Sequence, residues 1–429
     1  MKKAVKIFFS FFLFLFASWI IYLNCKLYHE PDFSTDVKFE INTDLLHQLR
    51  FLKTKMHQGV ADEMQNYYPE GFVFMNALYG LSWCEVAKEI SPSMDLYKEA
   101  HDEIEFSYSA INSEKGKKVF SKSLSLAYGI FYLGWNNYLL GKKLSIEKRA
   151  ERDTAEINLF NSQCNQIAGS LQRTPYPESY QYAAWPSDAM VAVASLALEK
   201  KIESPMHEGD ISIWLLHVKS RLDTNGLIPH SVAYWDGKPE KFAEGNSQSL
   251  MLNFLYEIDS TFARQQFNIY KSKFLTTRFG LPAIRQFPMG EEGGSDIDSG
   301  PVIFGIGGAA SIIGIRVMTI FGEDNTAVGL RNSVDAFGFA YTSHGEKNYL
   351  FGKIPMADTF IAWANSAEIS KNKSLHPMGN WRWRFQLYSF LVFLLLVFLF
   401  LKTWGIKFKI FRSKQNLSQR SSASLAPPR

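Results

Sequence analysis

Thr174 to Leu198 (T-P-Y-P-E-S-Y-Q-Y-A-A-W-P-S-D-A-M-V-A-V-A-S-L-A-L) gathers Glu178 and Asp188 with Tyr176, Tyr180, Tyr182 and Trp185 in one proline-broken loop. Carboxylates can move protons or attack a carbon, and flat aromatic rings can cover the faces of a substrate. The stretch then runs into an Ala/Val-rich segment spaced as a buried helix. A polar loop on a rigid helical scaffold is a natural place for a site. Asp188 lies in the first turn of that helix, where a carboxylate can also serve the dipole and the free amides. Glu178, between a proline and a serine, has no such structural duty.

A second loop, F-P-M-G-E-E-G-G-S-D-I-D-S-G from Phe287, sets Glu291, Glu292, Asp296 and Asp298 among Gly290, Gly293, Gly294 and Gly300. Alternating acids on flexible backbone could supply oxygen ligands to Ca²⁺, but the late bidentate Glu of an EF-hand is missing. Asp296 or Asp298 could instead act as acid, base or nucleophile in a cavity. Asp223 to His230 reads as a turn with Asn-Gly at its tip, and Asp236-Gly237 as the turn of a short hairpin. His230 titrates near working pH and could be a general acid or base, or a structural hydrogen-bonder. Tyr234 and Trp235 follow it. In E-G-N-S-Q-S, Glu244 and Asn246 suit binding of a polyol or carboxylate, while Asn246 or Ser247 could equally cap a helix.

The expected catalytic set is therefore Glu178, Asp298, Asp188 and His230. The expected substrate-binding set is Tyr176, Tyr180, Tyr182, Trp185, Trp235, Glu244, Asn246 and Asp296. No cofactor and no metal is assigned. Gly305-Ile-Gly-Gly lies in an apolar run without a preceding strand and βαβ unit, which excludes a Rossmann fingerprint.

The elements that must hold these loops read as helices almost throughout Asn42 to Asp358. The segments are Asp95 to Ser113, Lys122 to Leu140, Ile146 to Leu171, Asp188 to Lys200, Ile211 to Leu222, Ser247 to Ile258, Thr261 to Phe274 and Pro301 to Phe321. A further buried helix starts after Gly71, and Asn42-Thr43-Asp44 is a cap signal. Every second helix is apolar nearly all round, which suits concentric layers. The expectation is an all-α fold, an (α/α)6 toroid of six helical hairpins with its loops gathered at one mouth. Tyr68-Pro69-Glu70-Gly71 and Tyr176-Pro177-Glu178-Ser179 each precede a buried helix, a faint internal repeat.

The two ends read as membrane segments. Lys2, Lys3 and Lys6 precede an apolar run from Ile7 to Leu23, with Trp19 and Tyr22 as interface residues and no A-x-A-like cleavage site. Phe385 to Leu401 is almost wholly apolar, flanked by Trp381, Trp383, Tyr388 and Trp404. Lys402, Lys407, Lys409, Arg412, Lys414 and Arg420 follow it, so the positive-inside rule puts both termini in the cytoplasm and the middle outside. The expected organisation is an anchor over 1–25, an extracytoplasmic domain over 26–380, a second span over 385–402 in a cytoplasmic (inner) membrane, and a basic disordered tail over 403–429. Among 429 residues the net charge is a modest +4, and no basic block interleaved with aromatics suggests nucleic acid. Cys84 and Cys164 could form one bridge or stay as buried thiols, and Cys25 lacks a lipobox.

Four segments taken in order resemble the linalool dehydratase/isomerase family: S-L-A-Y-G-I-F-Y-L from Ser125, P-E-S-Y with the helix after it, W-L-L-H-V-K-S-R-L-D from Trp214, and D-I-D-S-G from Asp296. The resemblance covers about Gly71 to Glu323 and implies a six-hairpin, glycosidase-like toroid. The family's two cysteines correspond to Pro175 and to Ala184 or Trp185 here, its histidine to about Ser123 and its tyrosine to about Asn246. Carboxylate loops with aromatics point to a hydrolase or lyase acting on a glycan or lipid-linked glycan at the membrane. The resemblance implies an alternative, a lyase or isomerase of an apolar small molecule such as a terpenoid alcohol. A non-catalytic toroid that binds a lipid or glycan is the third expectation.

Overall fold

The structure, a computed structural model, describes residues 2–27, 33–36, 39–296, 298–367 and 381–406. The expected disordered tail and most of its basic residues lie outside them. Two compact units emerge, Met1–Ile21 with Tyr388–Arg429, and Tyr22–Leu387.

The chain opens on the long apolar helix α1 (Lys2–Lys26). Asn42 then caps α2 (Thr43–His57), its Oδ1 accepting from the Leu45 N–H at 3.0 Å. The short α3 (Val60–Gln65) precedes α4 (Gly71–Glu89) and α5 (Asp95–Asn112). After α6 (Glu114–Lys117) come α7 (Gly129–Ile146) and α8 (Thr154–Leu171), then α9 (Pro186–Ala197), the short α10 (Glu199–Ile202) and α11 (Glu208–Lys219). The series ends with α12 (Gly245–Ile258), α13 (Ser260–Phe274), α14 (Gly308–Ile320), α15 (Asp324–Phe337) and α16 (Pro355–Asn365).

Burial sorts these helices into two layers. Of 12 residues in α9, 11 are buried, against three of 12 in its partner α11. A helix that is apolar all round must be surrounded, whereas a striped one can face water. Accordingly α4, α7, α9, α12, α14 and α16 each pack on the next, and α16 packs back on α4 to close a ring. Outside them lie α5, α8, α11, α13 and α15, each against the inner helix it follows, while α2 covers α16. This is an (α/α)6 toroid, and its sixth hairpin joins the two ends of the unit.

That closure is held by polar groups as well as by packing. Gln48 of α2 donates to the Asp358 carbonyl of α16 at 2.9 Å, and the Asp358 carboxylate accepts from the Tyr349 N–H at 2.9 Å. Tyr349 donates its hydroxyl to Asp335, which also pairs with Lys347. Burial pushes the Asp358 carboxyl up to about 8.

Several expected boundaries move for visible reasons. The helix expected from Lys122 begins at Gly129, because Tyr128 and Gly129 both adopt left-handed backbone and Ser121 and Ser123 bond each other in the loop before it. The helix expected from Ile146 starts at Thr154, where Asp153 caps the Ala155 N–H. The stretch from Pro301 is an antiparallel ribbon, Val302–Ile303 against Ile306–Gly307, before α14 begins. Leu275–Arg278 and Leu281–Ile284 form another ribbon that the helical pattern concealed. Helices almost throughout is thus corrected to helices joined by short ribbons. Cys84 and Cys164 are both buried free thiols, and Cys25 is exposed.

Ribbon and loop tips of this unit carry exposed phenylalanines in left-handed backbone. Phe279, Phe304, Phe339 and Phe351 have φ of 51°, 53°, 51° and 58°. Phe304 is 69% and Phe351 75% exposed. A bulky residue at positive φ is a rare, strained choice, and an exposed ring recovers nothing by burial inside the protein.

The last helix, α17 (Trp381–Trp404), follows the toroid in sequence and belongs to the other unit from Tyr388 on. Trp404 donates its indole N–H to Ser10 Oγ at 2.9 Å, and the Lys6 ammonium lies 5.9 Å from the Trp404 ring centroid. The start of α1 therefore lies beside the end of α17. Both helices are long and apolar enough to cross a membrane.

Candidate active site

The acids of this unit collect where inner helices begin. Glu70 immediately precedes α4, Asp188 lies in the first turn of α9, and Glu244 immediately precedes α12. Asp296 and Asp298 come from the loop before α14. The charges of Glu70 and Asp298 both act on Asp188, and those of Glu70, Asp296, Glu244 and His230 act on Asp298. Groups far apart in sequence are thus brought to one mouth of the ring, where helix N-termini favour negative charge.

Asp188 is buried and serves no capping function, since Trp185 is the N-cap of α9 and Pro186 its first residue. Its Oδ2 accepts the Ser179 hydroxyl at 2.6 Å and its Oδ1 the Ser187 hydroxyl at 3.3 Å. Burial raises its carboxyl to about 7, helped by the charges of Glu70 and Asp298 and opposed by the two serine hydroxyls. Burial and the neighbouring Asp296 raise Asp298 as well, while His230 opposes the shift. The Asp298 residue nonetheless keeps an exposed surface while crowded by other acids.

Ser179 is held in place by a close approach of backbones. The Ile130 N–H donates to the Glu178 carbonyl at 3.0 Å, and Gly129, at φ 80°, lies so near that an added Cβ would be 2.4 Å from the Ser179 oxygen. Only glycine fits there. Tyr180 donates its hydroxyl to Glu70 Oε1 at 2.5 Å, stacks on Phe120 with centroids 5.7 Å apart and meets Trp185 edge-on at 6.2 Å. Glu178 itself turns back: its Oε1 accepts from the Tyr182 N–H at 2.7 Å and closes the tight turn of Tyr180 and Ala183.

Across the mouth, the His230 N–H donates to the Lys241 carbonyl at 3.0 Å in the ribbon of Ser231–Val232 with Pro239–Lys241. Burial pushes the His230 imidazole down, toward its neutral form, against the pull of Asp298 and Asp296. Glu244 is raised by burial and restrained by Gln286, whose Nε2 donates to Glu244 Oε2 at 2.9 Å and to Asn246 Oδ1 at 3.0 Å. Gly245 permits this approach, because a Cβ there would stand 2.0 Å from the Arg285 oxygen. The alternative of Asn246 or Ser247 as the helix cap is corrected: α12 starts two residues before the expected Ser247, at Gly245, with no side-chain cap, and both groups bond elsewhere.

The structure thus joins Asp188, Asp298, His230, Glu244, Asp296, Tyr180 and Asn246, all singled out in sequence. Tyr182 and Trp235, each 67% exposed, form with Tyr234 an aromatic platform with centroids 5.5 and 5.1 Å apart. Tyr176 is fully buried beneath Gly237, away from any open surface. Among the loop acids, Glu291 is bonded by Asn225 at 3.3 Å, so the four carboxylates do not act as one group. Sequence reasoning missed Glu70, Ser179 and Gln286. The repeated Tyr-Pro-Glu was the available signal for Glu70, since the same tripeptide carries Glu178 in the loop before α9.

Fold and site together define an α/α toroid with a carboxylate-lined mouth. No family model matches this chain, and no curated protein matches it. Among solved structures it is similar to a GH76 α-mannanase from Bacteroides thetaiotaomicron, with a TM-score of 0.39 and 10% identity over 75% of this chain and 87% of that one.

Proposed function

We propose that this protein is a membrane-anchored toroid enzyme that cleaves a glycan or lipid-linked glycan by carboxylate chemistry, as a hydrolase or lyase. The observation that carries the reading is Asp188, a buried carboxyl raised to about 7 beside Glu70 and Asp298. A buried carboxyl that holds its proton beside a second, solvent-exposed carboxyl is a pairing that suits glycoside cleavage. Raised to about 7, Asp188 is still protonated in a substantial share of molecules at neutral pH and serves as the general acid to the leaving oxygen. Asp298, which keeps an exposed surface, is the partner that attacks the sugar carbon or activates water. Of the expected catalytic residues, Glu178 is set aside in this reading, because its carboxylate is occupied by its own turn. Tyr182, Tyr234 and Trp235 supply flat faces for sugar rings, while Asn246 and Glu244 offer hydrogen bonds to hydroxyls.

The two terminal helices support anchoring, with both ends in the cytoplasm and the toroid outside. The neighbouring ends of α1 and α17 agree with that topology. The exposed phenylalanines of the toroid's tips suit contact with lipid.

The test is turnover by the full chain in nanodiscs, given polysaccharides and polyprenyl-linked oligosaccharides, with products read by mass spectrometry. New saccharide ends that vanish in Asp188→Asn and Asp298→Asn support the reading. Products retained in both variants would sink it.

The terpenoid-alcohol reading competes through the aromatic surroundings of the mouth. Burial raises the Cys84 and Cys164 thiols, which removes thiolate chemistry from both. Interconversion of linalool and myrcene in the same preparation would restore that reading.

A further inference from the structure

We infer that His230, Glu244 and Asp296 form a binding site for a first-row divalent cation of the Zn²⁺ or Mn²⁺ class. One candidate ligand atom from each of the three lies within 4.8 Å of the others. They come from three separate segments: the residue before the Ser231–Val232 strand, the residue before α12, and the loop before α14.

A second observation sets the cluster apart from an ordinary group of acids. His230 is only 5% exposed, and its Nδ1 is buried with no hydrogen-bond partner among the described residues. A buried ring nitrogen without a partner costs free energy, and this ring looks onto two carboxylates. A cation supplies what the nitrogen lacks.

Each ligand is oriented by neighbours that leave it free to bind. The His230 backbone is pinned to Lys241. Gln286 holds Glu244 through Oε2, leaving Oε1 for a metal. Asp296 receives the Ser299 N–H on Oδ1 at 2.8 Å and donates its own N–H to Ser299 Oγ at 2.9 Å, leaving Oδ2. Such outer contacts fix ligand geometry in metal sites. The cation whose charge reaches both His230 and Glu244 is Lys241, an exposed side chain. A dication would balance the acids directly.

Imidazole with two carboxylates suits Zn²⁺ or Mn²⁺ better than Ca²⁺ or Mg²⁺, which prefer oxygen alone. Three protein ligands leave further positions open. With Asp298 close by, those positions face the proposed reaction centre and could take a pair of substrate hydroxyls. The cation site goes beyond the glycan reading, and its test uses no turnover.

Full-length protein in detergent is stripped with chelator, then equilibrated with Zn²⁺ or Mn²⁺ alone. Bound metal is measured by plasma mass spectrometry and affinity by calorimetry. One tightly held cation per chain is expected, with little Ca²⁺ retained in competition. His230→Ala and Asp296→Asn should lose it. Gln286→Ala should weaken it about 10–100-fold through loss of an outer contact. Asp296 is exposed, so its variant tests binding without disturbing the core, and unfolding temperature confirms that. Wild-type protein that retains no cation, or Asp296→Asn and His230→Ala variants that keep wild-type stoichiometry and affinity, would overturn the site.

Discussion

Ser179 Oγ donates to Asp188 Oδ2 at 2.6 Å, from the loop to the first turn of the helix nine residues on, and this bond opposes the burial that makes the carboxyl hold its proton. The hydroxyl stabilises the carboxylate form, so Ser179→Ala should raise the Asp188 pKa further above about 7. An acid that must be protonated to act then stays active to higher pH. The alkaline limb of the pH–rate profile should move upward, and a limb that stays still would remove Asp188 as the acid.

Asp298→Asn keeps the size of the side chain and removes its charge. Turnover should fall by about 10²–10⁴, the scale of acid–base or nucleophilic assistance. Since Asp298 opposes ionisation of Asp188, the variant should also lower the pKa of Asp188, visible in any residual pH profile.

Gly129→Ala places a Cβ 2.4 Å from the Ser179 oxygen and forces alanine into φ 80°. A loss of about 1–3 kcal/mol is expected from the strained backbone, read as a lower unfolding temperature. Displacement of Ser179 should reduce activity at temperatures where the variant remains folded.

Asp358 gives a pH dependence of stability rather than of catalysis. Its folded carboxyl is raised to about 8 from an ordinary 3.8. Its contribution is fully present below about 3.8 and is lost as pH rises toward 8, because the folded state resists giving up the proton. Asp358→Asn should therefore unfold at a higher temperature than wild type at pH 8 and show little advantage near pH 4. Parallel curves over that window would refute the shift.

Phe304 tests the lipid contact. With Cys25 replaced by Ser, Cys84 and Cys164 remain buried, so a cysteine at position 304 can be labelled alone with an environment-sensitive dye. In liposomes its emission should be blue-shifted and quenched by brominated lipid, whereas a label at the exposed Tyr67 should report water. Equal emission at both positions would end the claim.

The layered architecture was legible because it follows from side-chain periodicity. Helices buried all round, such as M-V-A-V-A-S-L-A, cannot face solvent, and striped ones such as Asp95–Asn112 can, so two concentric layers follow from the hydrophobic effect. Ends of elements were less legible, because they turn on backbone geometry. Tyr128 and Phe304 look like helix residues by hydropathy, yet both sit in left-handed turns that stop the pattern.

The candidate site divides along the same line. The acid-rich and aromatic loops were visible as composition, and most of their members do meet at one mouth. Which carboxyl is buried and which is tied up locally was beyond sequence, since Glu178 and Asp188 differ only in what surrounds them. Sequence by itself determined the toroid's hairpins, its apolar terminal helices and the supply of acids, because these depend on the spacing of residues along the chain. Tertiary structure alone decided that Glu70 joins Asp188, that His230 looks onto Glu244 and Asp296, and that Glu178 bonds the Tyr182 N–H of its own turn. Proton affinity and ligand geometry depend on burial and on partners remote in sequence, and only the closed ring brings those together.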